Sequence, residues 1–451
     1  MSSENRPHVL IVGAGFGGLA LAHGLRQRGI PVAVYERYRS RTDGLHGYRV
    51  GIDPTGNRAL RECLPPRLFD TFVATCARTP SHFTVLTEKK KITAAVPLRG
   101  DADPVNSERS VSRQTLRQVL LTGLEDIVHF DKRFTGYERR PDGKVVAYFA
   151  DGSSAVGDVL VGADGANSQV RQQYLPHAVL KEAGITSIAA KIPMSREALG
   201  LLPGPSRTGL SLTFAPKGFM CIWHVMEFGW DERGGIKEGA AGNDAELLRS
   251  WPGLLFDNTR DYLSWGLWAA NDKFPADVMS LRGRQLTDLA LELTPNWHPD
   301  FRRLFAMADA STAFPIRIAT SEPVPAWETT QVTLLGDAAH TMTPGQGVGA
   351  NTALRDAMLL ARALGEAAAG RRDLLGAIGD YEAEMIPYGF ARVKDSLAQN
   401  GTSGDDPLHK PVLGRAVLAA NRTYFRAVDR IPAVRRKFLD ELYAYRGADE
   451  A

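Results

Sequence analysis

A chain of 451 residues is long enough for two or three domains with buried cores, and 44% hydrophobic with 23% charged residues are ordinary globular proportions. A net charge of +3, with the basic residues scattered, argues against nucleic acid or a membrane surface as partner. Three cysteines (Cys63, Cys76, Cys221), far apart and without a CxxC pair, exclude a disulfide scaffold or structural zinc site and fit a reducing compartment. No basic leader precedes an apolar stretch, and no apolar run reaches about 18 residues, so a soluble cytoplasmic protein is expected.

The chain opens with HVLIVGAGFGGLALAHGLRQRGIPVAVYER, which reads as strand, tight turn, helix, strand. Val9 to Val12 form the continuous apolar run of a strand buried on both faces. Gly13, Gly15 and Gly18 then supply a G-x-G-x-x-G: the first for the turn, the second for close approach to a pyrophosphate, the third for packing helix on sheet. Phe16 and Gly17 lie inside the same turn, and Leu19, Ala22 and Leu25 continue as the helix's apolar stripe, its N-terminus toward the phosphates. The second strand, Val32 to Tyr35, ends at Glu36, placed to accept ribose hydroxyl hydrogen bonds, with Arg37 beside it. A dinucleotide site follows from this context, but the motif does not separate FAD from NAD(P).

Farther on, SVSRQTLRQVLL opens a helix at Arg113 with Leu116, Val119 and Leu120 as its apolar face. VLVGADGANSQVR is an apolar strand ending in Asp164-Gly165, which also suits a hairpin or helix cap. From about 176 to 275 short β-like runs alternate, rich in aromatic and Met residues, and residues 79–98 are expected to add strands to them. Such a sheet can roof a pocket for a flat or apolar small molecule, with Phe214, Met220, Trp223, Trp265 and Trp268 as candidate lining. VTLLGDAAH gives another buried strand, delivering Gly336-Asp337 at its carboxyl end, where ligands of such sheets bind; the aspartate is placed for ribityl or ribose hydroxyls. The tail from about 381 reads as helical, with arginines between apolar positions, and is expected to pack across the domains.

GAGFGG, GADGANSQVR and LLGDAAHTMTPGQGVGAN, in this order, resemble the class A flavoprotein monooxygenases, the para-hydroxybenzoate hydroxylase-like family that includes tetracycline-inactivating and antibiotic-tailoring enzymes. The resemblance covers roughly residues 8–175 and 310–390. It implies FAD as cofactor, NADPH or NADH as transient co-substrate without a Rossmann domain of its own, and oxygen transfer through a flavin C4a-hydroperoxide. It implies further that Asp164 serves FAD and NAD(P)H, that Asp337 and Arg113 lie near FAD, and that His46 and Arg49 of GLHGYRVGIDPTGNRAL approach flavin or substrate. The glycine-rich passage then reads as a flavin shelf: Pro344 sets the turn, Gly345, Gln346, Gly347, Val348 and Gly349 leave the backbone bare, and a helix beginning at Ala350 and Asn351 offers unpaired N–H groups to the charge of a reduced flavin. His340 is expected to pack or hydrogen-bond near the cofactor, and no histidine spacing suits a metal.

The expected architecture is α/β: a Rossmann-like FAD-binding domain (1–78 with 99–175 and 276–380), a β-sheet substrate domain (79–98 with 176–275) and a C-terminal helical segment (381–451). Hydroxylation of an aromatic or polyketide-like small molecule is the expected reaction, by a monomer or homodimer. Epoxidation and Baeyer–Villiger insertion stay open on the same scaffold, as does a non-catalytic flavoprotein that binds a small molecule. Flavin halogenases and prenyl reductases share the first fingerprint; the tryptophan pair here, WGLW, lacks the halogenase W-x-W-x-I-P spacing.

Overall fold

The computed structural model describes residues 6–43, 49–98, 103–231, 233–237, 243–257, 259–399, 401–445 and 447. Its first layer is a five-stranded parallel sheet in the order Val332–Leu334, Val159–Gly162, Val9–Val12, Val32–Tyr35, Val128–His129. The registers run in step, with Val9 opposite Val159 on one side and Val32 on the other. The central strands are short apolar runs because helices and a β-meander cover both faces. Helices Phe16–Gln27 and Gly349–Ala368 pack together on one side, so closely that a Cβ at Gly24 would stand 2.9 Å from that of Ala361. The meander Phe134–Arg139, Val145–Phe149, Ser154–Gly157 leads into the Val159 strand.

The second layer is a seven-stranded, mainly antiparallel sheet in the order Asp309–Ser321, Leu180–Pro193, Tyr262–Ala270, Met220–Met226, Gly209–Phe214, His82–Thr87, Ile92–Pro97. The strands from 82–97 do join it, as the sequence suggests. The boundary expected at 276 moves, however. Helices Arg284–Leu293 and Pro299–Ala306 bury Leu286, Phe301, Leu304 and Phe305 against this sheet, and strand Asp309–Ser321 forms its edge, so 284–321 belongs with the second layer. A separate two-stranded ribbon, Arg49–Ile52 with Arg109–Ser112, is hydrogen-bonded from Ser112 to Thr259, just ahead of strand Tyr262–Ala270 (3.0 Å). Of the tail, Leu413–Arg430 covers the edge strand Ile92–Pro97, where Asp429 accepts from the Ala95 N–H (3.0 Å), while Arg58 of the first layer reaches the Gly447 carbonyl at 2.8 Å. Among the described residues no helix is long and apolar enough to cross a membrane.

Strand parity decides the fate of the aromatic candidates. Cys221, Trp223 and Val225 share one face of their strand, and Trp265 is directly opposite Trp223. Both tryptophans are buried, Trp223 against Phe301 and Phe305 (ring centroids 5.1 and 5.3 Å apart) and Trp265 against Phe305 (4.8 Å). They form the core between sheet and helices and line no ligand pocket, which corrects their expected role. Phe214 and Met220 sit on the opposite face but beneath the tail, in one cluster with Leu408, Leu418 and Phe425, and they too are core. Trp268 remains half-buried on that face, its Nε1–H donating to the Gly401 carbonyl.

Replacing Trp223 with Ala is therefore expected to cost about 3–5 kcal/mol of folding stability, measured by chemical denaturation, because it empties a site packed on three sides. Ligand affinity of the fraction that stays folded should be preserved.

Candidate functional site

Three loops meet at the carboxyl edge of the parallel sheet. In the first, Gly13 has φ +108°, and a Cβ there would stand 2.4 Å from the Ala163 carbonyl oxygen; the chain crosses here only without a side chain. Gly15, the exposed N-cap of helix Phe16–Gln27, is extended (φ −82°), offers no side-chain cap, and has nothing nearer its Cβ position than the Ala163 oxygen at 4.0 Å. The helix N–H groups behind it are open to an anion. Gly17 and Gly18 are buried and serve packing: a Cβ at Gly18 would meet the Gly13 oxygen at 2.3 Å, and one at Gly17 the Leu335 side chain at 2.6 Å.

Glu36 is buried at the end of its strand, its carboxylate accepting from the N–H groups of Ala14 (2.9 Å) and Tyr38 (3.0 Å). A carboxylate with two such bonds keeps further acceptor sites, so it retains capacity for a hydroxyl. Arg37 is exposed and lies over Tyr38, away from this loop. Arg117 was missed in the sequence. It donates to the Ala14 carbonyl (3.3 Å) and the Asp43 carbonyl (3.0 Å), stands 3.8 Å from Glu36, and keeps one buried guanidinium nitrogen, Nη2, without a hydrogen-bond partner. Its only signal was its place one turn after Arg113 on a helix facing the loop. Arg113 itself lies over Phe16, 5.1 Å from the ring centroid.

Asp164 turns out to organise its own loop. It accepts from Ser168 Oγ (2.5 Å) and the Gln169 N–H (2.7 Å), starting helix Gln169–Tyr174, and burial raises its carboxyl above the usual range despite those bonds. Ser168, held by Asp164, is the residue that caps this helix, its Oγ accepting from the Arg171 N–H at 2.9 Å. Arg171 ties this loop to the third one, donating to the carbonyls of Ala166 (2.8 Å) and Ala338 (3.1 Å).

The third loop follows Gly336, whose φ of +60° turns the chain into the short helix Asp337–His340. Asp337 is exposed toward the cleft; surrounding protein still raises its carboxyl, with His340 and Arg113 opposing. His340 is buried against Asp356 (Nε2 to Oδ2, 2.7 Å), and the same oxygen accepts from the Gly336 N–H at 2.9 Å. Burial acts to lower the His340 pKa, but the attraction and hydrogen bond of Asp356 outweigh it and the pKa is raised. Pro344, Gly345 and Gly347 are exposed, and Gly347 is left-handed (φ +69°) with nothing within 4 Å of its Cβ position. Helix Gly349–Ala368 then starts from Val348 without a side-chain cap. Asn351 does not face outward; it holds the ribbon, accepting from the Asp53 N–H and donating to the Gly51 carbonyl, both at 3.0 Å. Arg49, Gly51, Gln346, Gly347, Val348 and Asn351 line one crevice, where Arg49 donates to Ser110 (2.7 Å) and pairs with Glu108 (3.2 Å), and Gln346 Oε1 lacks a partner. His46 lies outside the described residues.

Two uncapped helix starts, exposed glycine backbone in front of each, and a buried orphan nitrogen on Arg117 suit a long anionic ligand with a flat end. A family model described as an FAD binding domain matches residues 6–201 and 306–393. The dual O-methyltransferase/FAD-dependent monooxygenase elcB of Phaeosphaeria nodorum is 32% identical over 90% of this chain, which spans 44% of that protein's length. The 6-hydroxynicotinate 3-monooxygenase of Pseudomonas fluorescens is 28% identical, covering 84% of this chain and 87% of its own. The fold matches that of Klebsiella pneumoniae HpxO complexed with FAD and uric acid at a TM-score of 0.74 and 22% identity, over 98% and 97% of the two chains.

Asp356→Asn is expected to destabilise the protein by about 3–5 kcal/mol, since it strands a buried histidine. Because the folded His340 pKa is raised, the stability from its charged form is complete below the ordinary histidine range and is lost as pH rises through the raised value. Thermal denaturation across pH 6–9 should show this loss in the parent and not in the variant.

Proposed function

This chain belongs to the FAD binding domain family, and from that premise we propose that it is an FAD-dependent monooxygenase that hydroxylates an aromatic or polyketide-like small molecule. The observation that carries the reading is the pair of uncapped helix starts, at Gly15 and Val348, on one edge of one parallel sheet. The names of the relatives support it, since they include FAD-dependent monooxygenases acting in one case on 6-hydroxynicotinate.

In the proposed reaction, a substrate C–H, O₂, NAD(P)H and a proton become C–OH, NAD(P)⁺ and water. FAD, when bound, supplies the electron storage and the oxygen activation. The protein's part is binding, orientation and charge. The backbone of Gly13 and Gly15 with the Phe16 helix start would take the pyrophosphate, and Glu36 the ribose hydroxyls. Arg117 would hold the loop through the Ala14 and Asp43 carbonyls and add positive charge near the phosphates. Asp337, exposed at the end of its strand, would take ribityl hydroxyls. At the far end, the N–H groups after Gly347 would face the flavin ring, where developing negative charge is stabilised by the helix dipole.

Purified protein is expected to be yellow and to release FAD on denaturation. Gly15→Val should fill the open space in front of the helix start, and Asp337→Ala should remove a ribityl contact; each is expected to lower FAD occupancy at least tenfold, read from visible absorbance against protein concentration. Full occupancy in both variants would show that the cofactor lies elsewhere.

A further inference from the structure

The face of the large sheet opposite the Trp223 core carries two rows of side chains that the scheme above leaves unused. Directly paired residues across the strands define them. Leu212, Ile222, Gly266, Ala189 and Phe314 form one row; Leu210, His224, Ser264 and Lys191 form the next. Both ends of this face are covered. At one end Met220 and Trp268 lie under the tail and Gly401; at the other, Met226 and Tyr262 join Phe228 and Ala74. Between them Leu212, Ile222, His224 and Phe314 stay half-buried.

Two details in this strip point to a ligand. At Gly266 an added Cβ would meet only Ile222, at 3.4 Å, so the sheet has an open floor there, walled by larger apolar residues. Beside it, His224 Nε2 and Ser264 Oγ are both out of contact with solvent and without a hydrogen-bond partner. Arg49 connects the strip to the flavin end of the site, since it lines the crevice with Gln346 and Gly347 and its charge acts on His224. Burial first, and Arg49 second, hold the imidazole well below its ordinary range and therefore neutral. A neutral imidazole pairs well with a hydroxyl, which donates or accepts as the tautomer requires.

We propose that this strip is the substrate wall and that His224 and Gly266 set its specificity: an aromatic ring lies flat over Gly266 between Leu212, Ile222 and Phe314, and a ring hydroxyl hydrogen-bonds His224 Nε2. The assignment rests on the monooxygenase reading and names the feature its substrate must carry. Ser264, directly opposite His224 on the next strand, is in position to take a second oxygen of the same ligand. The polar side chains of the strip, His224, Ser264 and Lys191, all lie in the second row, so the polar groups of the substrate are concentrated on one edge.

The test compares 2-naphthol with 2-methylnaphthalene, alike in shape, by equilibrium dialysis against FAD-loaded protein. The ratio of their affinities should fall about tenfold in His224→Leu, the worth of one buried hydrogen bond, with FAD content unchanged. Gly266→Leu should weaken both ligands at least tenfold, and Gly266→Ala, which meets only Ile222, should weaken both less while folding normally. An unchanged ratio in His224→Leu, undiminished binding in both Gly266 variants, or a flavinated parent that binds neither ligand would each overturn the wall assignment and leave the cofactor reading standing. A parent protein unable to hold FAD would instead overturn the reading on which the wall rests.

Discussion

The close crossing of two backbones at Gly13 and Ala163 is the constraint on which the rest of the site depends. A side chain at Gly13 would overlap the Ala163 carbonyl, and its φ of +108° is unsuited to any L residue. Because this crossing is bare, the Gly13 loop and the Asp164 loop reach the same edge of the parallel sheet, and helix Phe16–Gln27 can start directly above it. The second glycine-rich loop repeats the solution on a larger scale. There the left-handed Gly347 leaves the start of helix Gly349–Ala368 unobstructed.

Buried charge keeps these bare loops in place. Neither Gly336 nor Gly347 has side-chain contacts of its own, so both depend on neighbours for rigidity. Asp356 serves the first by accepting from the Gly336 N–H and from His340 with one oxygen. Asn351 serves the second by bonding to the Asp53 N–H and the Gly51 carbonyl, which also sets the position of the ribbon carrying Arg49. Arg171 and Arg117 do the same for the Asp164 loop and the Glu36 loop through backbone carbonyls. Each is a desolvated polar group whose partners are nearly complete, and Arg117 Nη2, which lacks a hydrogen bond, still faces the Glu36 carboxylate at 3.8 Å.

The large sheet divides labour by strand parity. One face is a tight aromatic core against helices 284–306; the other carries Leu212, Ile222 and Phe314 beside His224, Ser264 and Lys191. The same strand therefore holds Trp223 for stability and His224 for recognition, one residue apart, on opposite sides.

By itself the sequence determined the parallel strands, the glycine turns, Glu36 at a strand end and Asp337 at another, because each depends on local geometry: apolar runs buried on both faces, and positions where only glycine fits. What it did not determine were features that depend on which surfaces meet. Trp223 and Trp265 looked like pocket lining because aromatic content carries no information on which face of a strand is covered. Residues 284–321 were assigned to the wrong layer because a helix's apolar stripe does not say which sheet it lies on. The partners of Asp164 were likewise open in the sequence, and only the structure brings Ser168 Oγ and the Gln169 N–H within reach of it. Arg117, Asn351 and His224 acquire their roles through contacts with residues from 14 to 300 positions away, and only the tertiary structure brings those partners together.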